Sequence, residues 1–224
     1  MGYRPSAATG ESELSAAELS ALTALLAKSA AKGAHLEIGT AAGGTLCRMM
    51  AAFPADSRPP FVVVDPMTYF PDQRKIVEEN LRSKGLDPEG VEFREGTSEE
   101  LFPAAERNGD RFDFILIDGA HKIRSVIRDI RWARLLNENG VICFHDYLPK
   151  FKGVMWSADR FLRRWKGHYE RIEQVDSLLM IRKTGSSPVP EIGASDLLWA
   201  SCWAPLLQLR RNIGKRLGDR SAAA

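Results

Sequence analysis

Cysteine is scarce in this 224-residue chain, and the three present, Cys47, Cys143 and Cys202, lie far apart with no CxxC spacing. Neither a disulfide framework nor a zinc site is indicated, and a reducing, cytoplasmic compartment is expected. Long apolar runs are missing too: no stretch approaches the ~20 residues of a membrane span, and the N-terminal MGYRPSAATGESELS lacks the apolar core of a secretion signal. Met1-Gly2 with Ser6 matches the short myristoylation pattern formally, but Tyr3 and Pro5 make that context bulky and stiff. A charge excess is absent overall, since 31 Lys and Arg face 29 Asp and Glu for a net +2. The cations are unevenly spread: residues 205–224 hold Arg210, Arg211, Lys215, Arg216 and Arg220 against Asp219, which leaves the body of the chain slightly acidic. A nucleic-acid groove along that body is not expected. No internal repeat is visible.

What is present is ordinary globular composition, 44% hydrophobic and 27% charged, enough for one buried domain with appendages. Ser15, with Glu18 three residues on, reads as a capping box opening a helix whose Leu19, Leu22, Leu25 and Leu26 recur at helical spacing, with Gly33 as its stop. From there strand and helix patterns alternate. The strands are AHLEI (34–38), PFVVVD (60–65), VEFREG (91–96), FDFILID (112–118) and VICFHD (141–146); the helices between them are GTLCRMMAAF, PDQRKIVEENLRSKG, SEELFPAAERNG and KIRSVIRDIRWARLLNENG. Continuous β-branched runs such as FVVV suit parallel strands buried on both faces. After a helix around VMWSADRFLRRWKG, the strands HYERIEQV and SLLMIRK follow with so short a connection that they must be antiparallel. The expected fold is α/β: a Rossmann-like three-layer α/β/α sandwich whose mostly parallel seven-stranded sheet ends in an antiparallel hairpin.

In such sheets ligands sit beyond the carboxyl ends of the strands, where strand order reverses. Candidate site residues are therefore Glu37 to Thr45, Asp65, Gly96 to Ser98, Asp118 to His121 and His145 to Tyr147. The first turn reads ExGxxxGxT, with Glu37, Gly39, Gly43 and Thr45, where a dinucleotide fold wants GxGxxG. A carboxylate beside this turn repels a diphosphate and favours a ligand carrying an ammonium or sulfonium charge.

LEIGTAAGGTL resembles motif I of the class I S-adenosylmethionine (SAM)-dependent methyltransferases, and further segments from residue 36 to about 147 support the likeness in order. The resemblance implies that Glu37, Gly39, Thr40, Gly43 and Thr45 bind the cofactor, that Asp65 in VVVDP holds its ribose hydroxyls, and that Gly96, Thr97 and Ser98 in REGTSEEL flank its adenine, with Asp118 alongside. FDFILIDGAH and GVICFHDY resemble a subfamily of small-molecule and sugar O-methyltransferases that often read IDGxH and HDY. The implied reaction is attack of a substrate oxygen on the sulfonium methyl, for which the protein must align the partners and remove a proton.

Two routes to that proton are open. Asp118 and Asp146 end neighbouring strands and are candidate ligands for a magnesium ion, although the third position of catechol-type enzymes, an Asn, is Tyr147 here. Alternatively a histidine is the base, His121 in the loop over the pocket ahead of His145, whose place on its strand also suits a structural role. Each acid has a plainer reading, Glu37 as a solvated strand end, Asp65 as the cap of a Pro66 turn, and Asp118 as an Asx-turn acceptor. An NAD-dependent oxidoreductase and a non-catalytic SAM-binding or scaffold protein stand as alternatives.

The implied organisation is an N-terminal helical region (1–33), a SAM-binding methyltransferase domain (34–184), and a linker with an amphipathic helical tail (185–224). Arg124, Arg128 and Arg131 read as a solvated face over an apolar stripe, and Met49, Met50 and Phe53 as core. In the tail, Trp199, Trp203, Leu206, Leu207, Ile213 and Leu217 form a rough apolar stripe, and Pro205 suits a helix start. That stripe is expected to pack on the domain or on a second subunit, as a homodimer, ahead of a peripheral membrane contact. The acceptor is expected to be a small molecule.

Overall fold

The computed structural model describes residues 10–28, 33–185 and 189–221, with side chains described as far as residue 209. Five parallel strands, β1 (Ala34–Ile38), β2 (Phe61–Asp65), β3 (Val91–Glu95), β4 (Phe112–Ile117) and β5 (Leu136–Phe144), join the hairpin β6 (Tyr169–Val175) and β7 (Leu178–Lys183) in one sheet. The order is β3-β2-β1-β4-β5-β7-β6, with β7 antiparallel to both β5 and β6. Strand order therefore reverses between β1 and β4.

On one face lie α1 (Ala16–Ala27), α2 (Gly44–Ala51) and α3 (Gln73–Ser83), contributing Leu22, Leu26, Met49, Met50, Val77 and Leu81 to a core with Val63 and Leu116. On the other lie α4 (Ser98–Asn108), α5 (Ile123–Ile130), α6 (Lys152–Arg164) and α7 (Ala194–Ser221). The α5 sequence explains its placement: Ile123, Val126, Ile127 and Ile130 recur at i, i+3, i+4 and i+7 and are buried, while Arg124 is exposed. Arg128 pairs with Glu99 and Arg131 lies over the Phe102 ring. The capping box forms as read, the Ser15 hydroxyl accepting from the Glu18 amide and the Glu18 carboxylate from the Ser15 amide.

Three expectations are corrected. The helix after β4 stops at Ile130, passes through a 3-10 turn (Arg131–Leu135), and β5 begins at Leu136, five residues earlier than read. Buried Leu136 pairs with Phe112, and the Asn-Glu-Asn-Gly stretch between Leu136 and Val141 is extra length opposite β4, with Asn139 at φ 59. The stop assigned to Gly33 is also late, since α1 ends at Ala27; residues 29–32 lie outside the described residues. Pro205 starts no helix but sits inside α7, where its missing N–H leaves one carbonyl of the preceding turn without a donor.

Candidate active site

The crevice where strand order reverses is built by backbone first. The Gly39 amide donates to the Val64 carbonyl at 3.0 Å and the Asp118 amide to the Ile38 carbonyl at 2.9 Å, so the ends of β1, β2 and β4 are bonded to one another. Gly39 has φ +86, and a Cβ there would lie 2.6 Å from the Asp118 carbonyl oxygen, so only glycine fits between the two strand ends. Gly43, also at positive φ, caps α2 and donates to the Thr40 carbonyl at 2.7 Å. Glu37, Gly39, Thr40, Thr45 and Asp118 line one cavity.

The remaining wall comes from the polar segment before α1, in the N-terminal region to which the sequence assigned no site residue. Glu11, Ser12 and Glu13 line the same cavity, the Ser12 and Thr45 hydroxyls lie 2.7 Å apart, and the chain runs so close over α2 that a Cβ on Gly44 would lie 2.3 Å from Glu11 backbone atoms. Burial raises the Glu13 carboxyl, and the negative charge of Asp118 adds to the effect.

Glu37 is fully buried and neither carboxylate oxygen has a hydrogen-bond partner. Burial first, then the charges of Asp118 and Asp65, push it up to about 8; the Thr40 hydroxyl counters this in part, though neither group closes a hydrogen bond of ordinary geometry. Asp65, also buried, accepts from the Thr40 amide at 2.9 Å through one oxygen, and from the Met67 amide at 2.7 Å and Gln73 Nε2 at 3.3 Å through the other. Gly96 donates to the Asp65 carbonyl at 3.1 Å. Thr97 is exposed and serves as the N-cap of α4, while the buried Ser98 hydroxyl donates to Asp129, a residue absent from the expected set. Burial pushes the Asp129 carboxyl up to about 7, although the Ser98 bond opposes it.

The two histidines are held differently. His145 is buried, with Nδ1 2.7 Å from Asp118 Oδ1 and Nε2 3.6 Å from Glu18 Oε2. Burial alone would lower it, but the Asp118 bond and the charges of Asp118, Asp146 and Glu18 prevail and raise it to about 9. Glu18 is itself fixed, one oxygen accepting from the Ser177 amide at 2.7 Å and hydroxyl at 2.6 Å. The capping box identified Glu18 from four residues of sequence, but not this second role. His121 is partly exposed, its Nε2 2.8 Å from Asp146 Oδ2 and its ring 4.4 Å from that of Phe151. Burial opposes it, yet the His121 bond and the His145 charge hold the Asp146 carboxyl below its usual range.

Asp118 and Asp146 are thus each engaged by a histidine, and among the described residues no group of three or more His, Cys, Asp or Glu is arranged to hold a metal ion. Tyr147, at the third position, donates its hydroxyl to Asp159 at 2.6 Å. The donor set does not fit the magnesium site raised from sequence.

A family profile described as a methyltransferase domain matches residues 36–147, from the strand bearing Glu37 to Tyr147. The chain belongs to that methyltransferase-domain family. No curated protein matches it. Solved structures similar to this methyltransferase include an O-methyltransferase from Bacillus cereus in complex with SAH, 18% identical, covering 77% of this chain and 83% of that one with a TM-score of 0.61. An O-methyltransferase of tomaymycin synthesis from Streptomyces achromogenes, in complex with SAM, is 20% identical over 77% of this chain and 82% of its own, with a TM-score of 0.60. A TDP-rhamnose 3'-O-methyltransferase of calicheamicin biosynthesis is 17% identical over 74% and 78%, with a TM-score of 0.59. At these identities the likeness is one of fold.

Proposed function

We propose that this methyltransferase moves a methyl group from SAM to a hydroxyl of a small metabolite or sugar. The observation that carries the reading is Glu37: a fully buried carboxylate with no partner, at the cavity where strand order reverses. Leaving such a group unpaired is costly, and a ligand bearing an ammonium or sulfonium charge relieves that cost where a diphosphate aggravates it. The donor set therefore fits SAM and disfavours NAD. When bound, SAM supplies a methyl carbon made electrophilic by its positively charged sulfur.

The chain's own residues do the rest. Asp118 sets a negative potential at the cavity, to which Glu37, held neutral by the burial that raises it to about 8, adds its charge when a cationic ligand binds. Gly39 lets the strand ends close together, and Asp65, pinned by the Thr40 and Met67 amides, retains lone pairs for hydroxyl donors. Ser98 and Asp129 stand beyond β3, on the side the resemblance assigns to adenine. With Nε2–H donating to Asp146, His121 keeps Nδ1 as the acceptor for a substrate hydroxyl proton, and the carboxylate stabilises the imidazolium that results. His145, gripped between Asp118 and Glu18 and raised to about 9, is already protonated near neutrality and positions Asp118 instead.

Titration calorimetry with S-adenosylhomocysteine and, separately, NAD tests the reading. Saturable binding of the first and none of the second is expected; the reverse pattern, or no binding of either, overturns it.

A further inference from the structure

Helix α7 docks on the domain by one side only. Leu197, Ala204 and Leu207 pack against the core through α5 and α6, Ala200 is buried, and Asp196 is clamped by Arg160 at 2.8 Å and Arg164 at 2.7 Å. The other side is apolar as well. Leu198, Leu206 and Leu209 are 67%, 55% and 57% exposed, and Trp203, edge-on to Trp156, is 39% exposed at the border. Six large hydrophobic residues are exposed among those described; these four are on α7, and a fifth, Val189, is on the approach to it.

At 3.6 residues per turn, Leu198, Leu206 and Leu209 fall within an arc of about 80°, and the helix continues to Ser221. Beyond Leu209 the sequence carries Arg210, Arg211, Lys215, Arg216 and Arg220 against Asp219. A monomer seldom leaves such a surface to water, so the sector calls for an occupant, and charge chooses it. A second copy laid parallel along this face would set one basic run against another, and an antiparallel one would set it against the first turn of α7, whose acid, Asp196, is already held by Arg160 and Arg164. At a bilayer interface the same arrangement is favourable, because leucines enter the acyl boundary while arginines extend to lipid phosphates. No described helix is long and apolar enough to cross a membrane, so α7 would lie along the surface.

We propose that the outward face of α7 docks on a membrane surface rich in anionic lipid, holding the methyltransferase domain against the bilayer. This stands apart from the methyl-transfer reading, because none of these residues lines the cavity.

Co-sedimentation of the full chain with vesicles of equimolar phosphatidylglycerol and phosphatidylcholine, against phosphatidylcholine alone, tests it, together with light scattering without lipid. Strong partitioning onto the anionic vesicles that weakens with salt is expected. Leu206→Glu with Leu209→Glu should cut it by about tenfold or more, since withdrawing one leucine from an apolar layer is worth roughly tenfold. Both side chains point away from the core, so the variant should melt at the wild-type temperature, which separates lost docking from lost folding. Equal partitioning on both vesicle types overturns the proposal, as does a lipid-free dimer that the double variant converts to monomer.

Discussion

Replacing Glu37 by glutamine removes an ionisable group and little else, and its consequence can be worked through. Burial raises this carboxyl from its ordinary 4.5 to about 8, so the folded domain keeps it protonated while the unfolded chain ionises it from pH 4.5 upward. The sign follows: across that window the unfolded state has released a proton that the folded state retains, and stability falls as pH rises, by about 1.4 kcal/mol per unit. Above pH 8 the folded state also ionises and the loss levels off. Glutamine abolishes the slope. Its own unpartnered amide carries a cost, but one that does not change with pH, so the pH dependence of the difference is cleaner than its absolute size. Urea unfolding of the two proteins at pH 5 and pH 7 should show the variant gaining about 2 to 3 kcal/mol relative to wild type between the two conditions. The same substitution should weaken binding of S-adenosylhomocysteine, whose ammonium loses its carboxylate partner, by about tenfold to a hundredfold. Parallel stability differences at both pH values would refute the burial argument, and undiminished affinity would refute the assignment of Glu37 to the ligand.

His145 acts in the same direction, in a window displaced toward the alkaline side. Its raised value of about 9 means its stabilisation is complete below the unfolded value of 6.5 and is lost as pH rises through 9, so thermal melts of wild type should drop over that range and those of His145→Asn should drop less. His121→Ala should lower turnover by about 10²–10⁴-fold with S-adenosylhomocysteine affinity nearly unchanged, read by transfer assay and calorimetry side by side. Gly39→Ala forces a side chain onto the Asp118 carbonyl 2.6 Å away at φ +86 and should destabilise the fold by about 2 kcal/mol or more in chemical denaturation while abolishing cofactor binding. Chelation should leave transfer activity intact, since Asp118 and Asp146 are already bonded to histidines; loss restored by magnesium would reverse that conclusion.

Much of the architecture was legible because its signals are local. The FVVV run, the Ser15–Glu18 capping box and the two-residue link between β6 and β7 each act within a few residues, and β2, the start of α1 and the antiparallel hairpin formed where these patterns predicted. The start of β5 was not legible, because Asn137 to Gly140 read as the frayed end of a helix, and only pairing of Leu136 with Phe112, 24 positions away, makes it strand. Tertiary context overrode propensity there. At the site, motif order placed Glu37, Gly39 and Asp118 at one sheet edge, since strand ends follow from strand positions. The hydrogen bonds of Asp118 and Asp146 to histidines were beyond reach, being fixed by side-chain geometry across β4 and β5. Asp129 was hidden in plain view: it falls among the buried positions of α5, between Ile127 and Ile130, where an acid demands a partner.

The Glu18 carboxylate ties together parts of the chain 159 positions apart, with Ser177 on one oxygen and the Ser15 amide on the other. It also supplies one of the negative charges that keep His145 charged, and His145 in turn holds Asp118 at the cavity wall. The electrostatics of the crevice are therefore complete only where the first helix and the final hairpin are both docked. A chain with either end undocked can possess the whole parallel sheet, and His145 bonded to Asp118, yet lack the Glu18 charge fixed behind that pair.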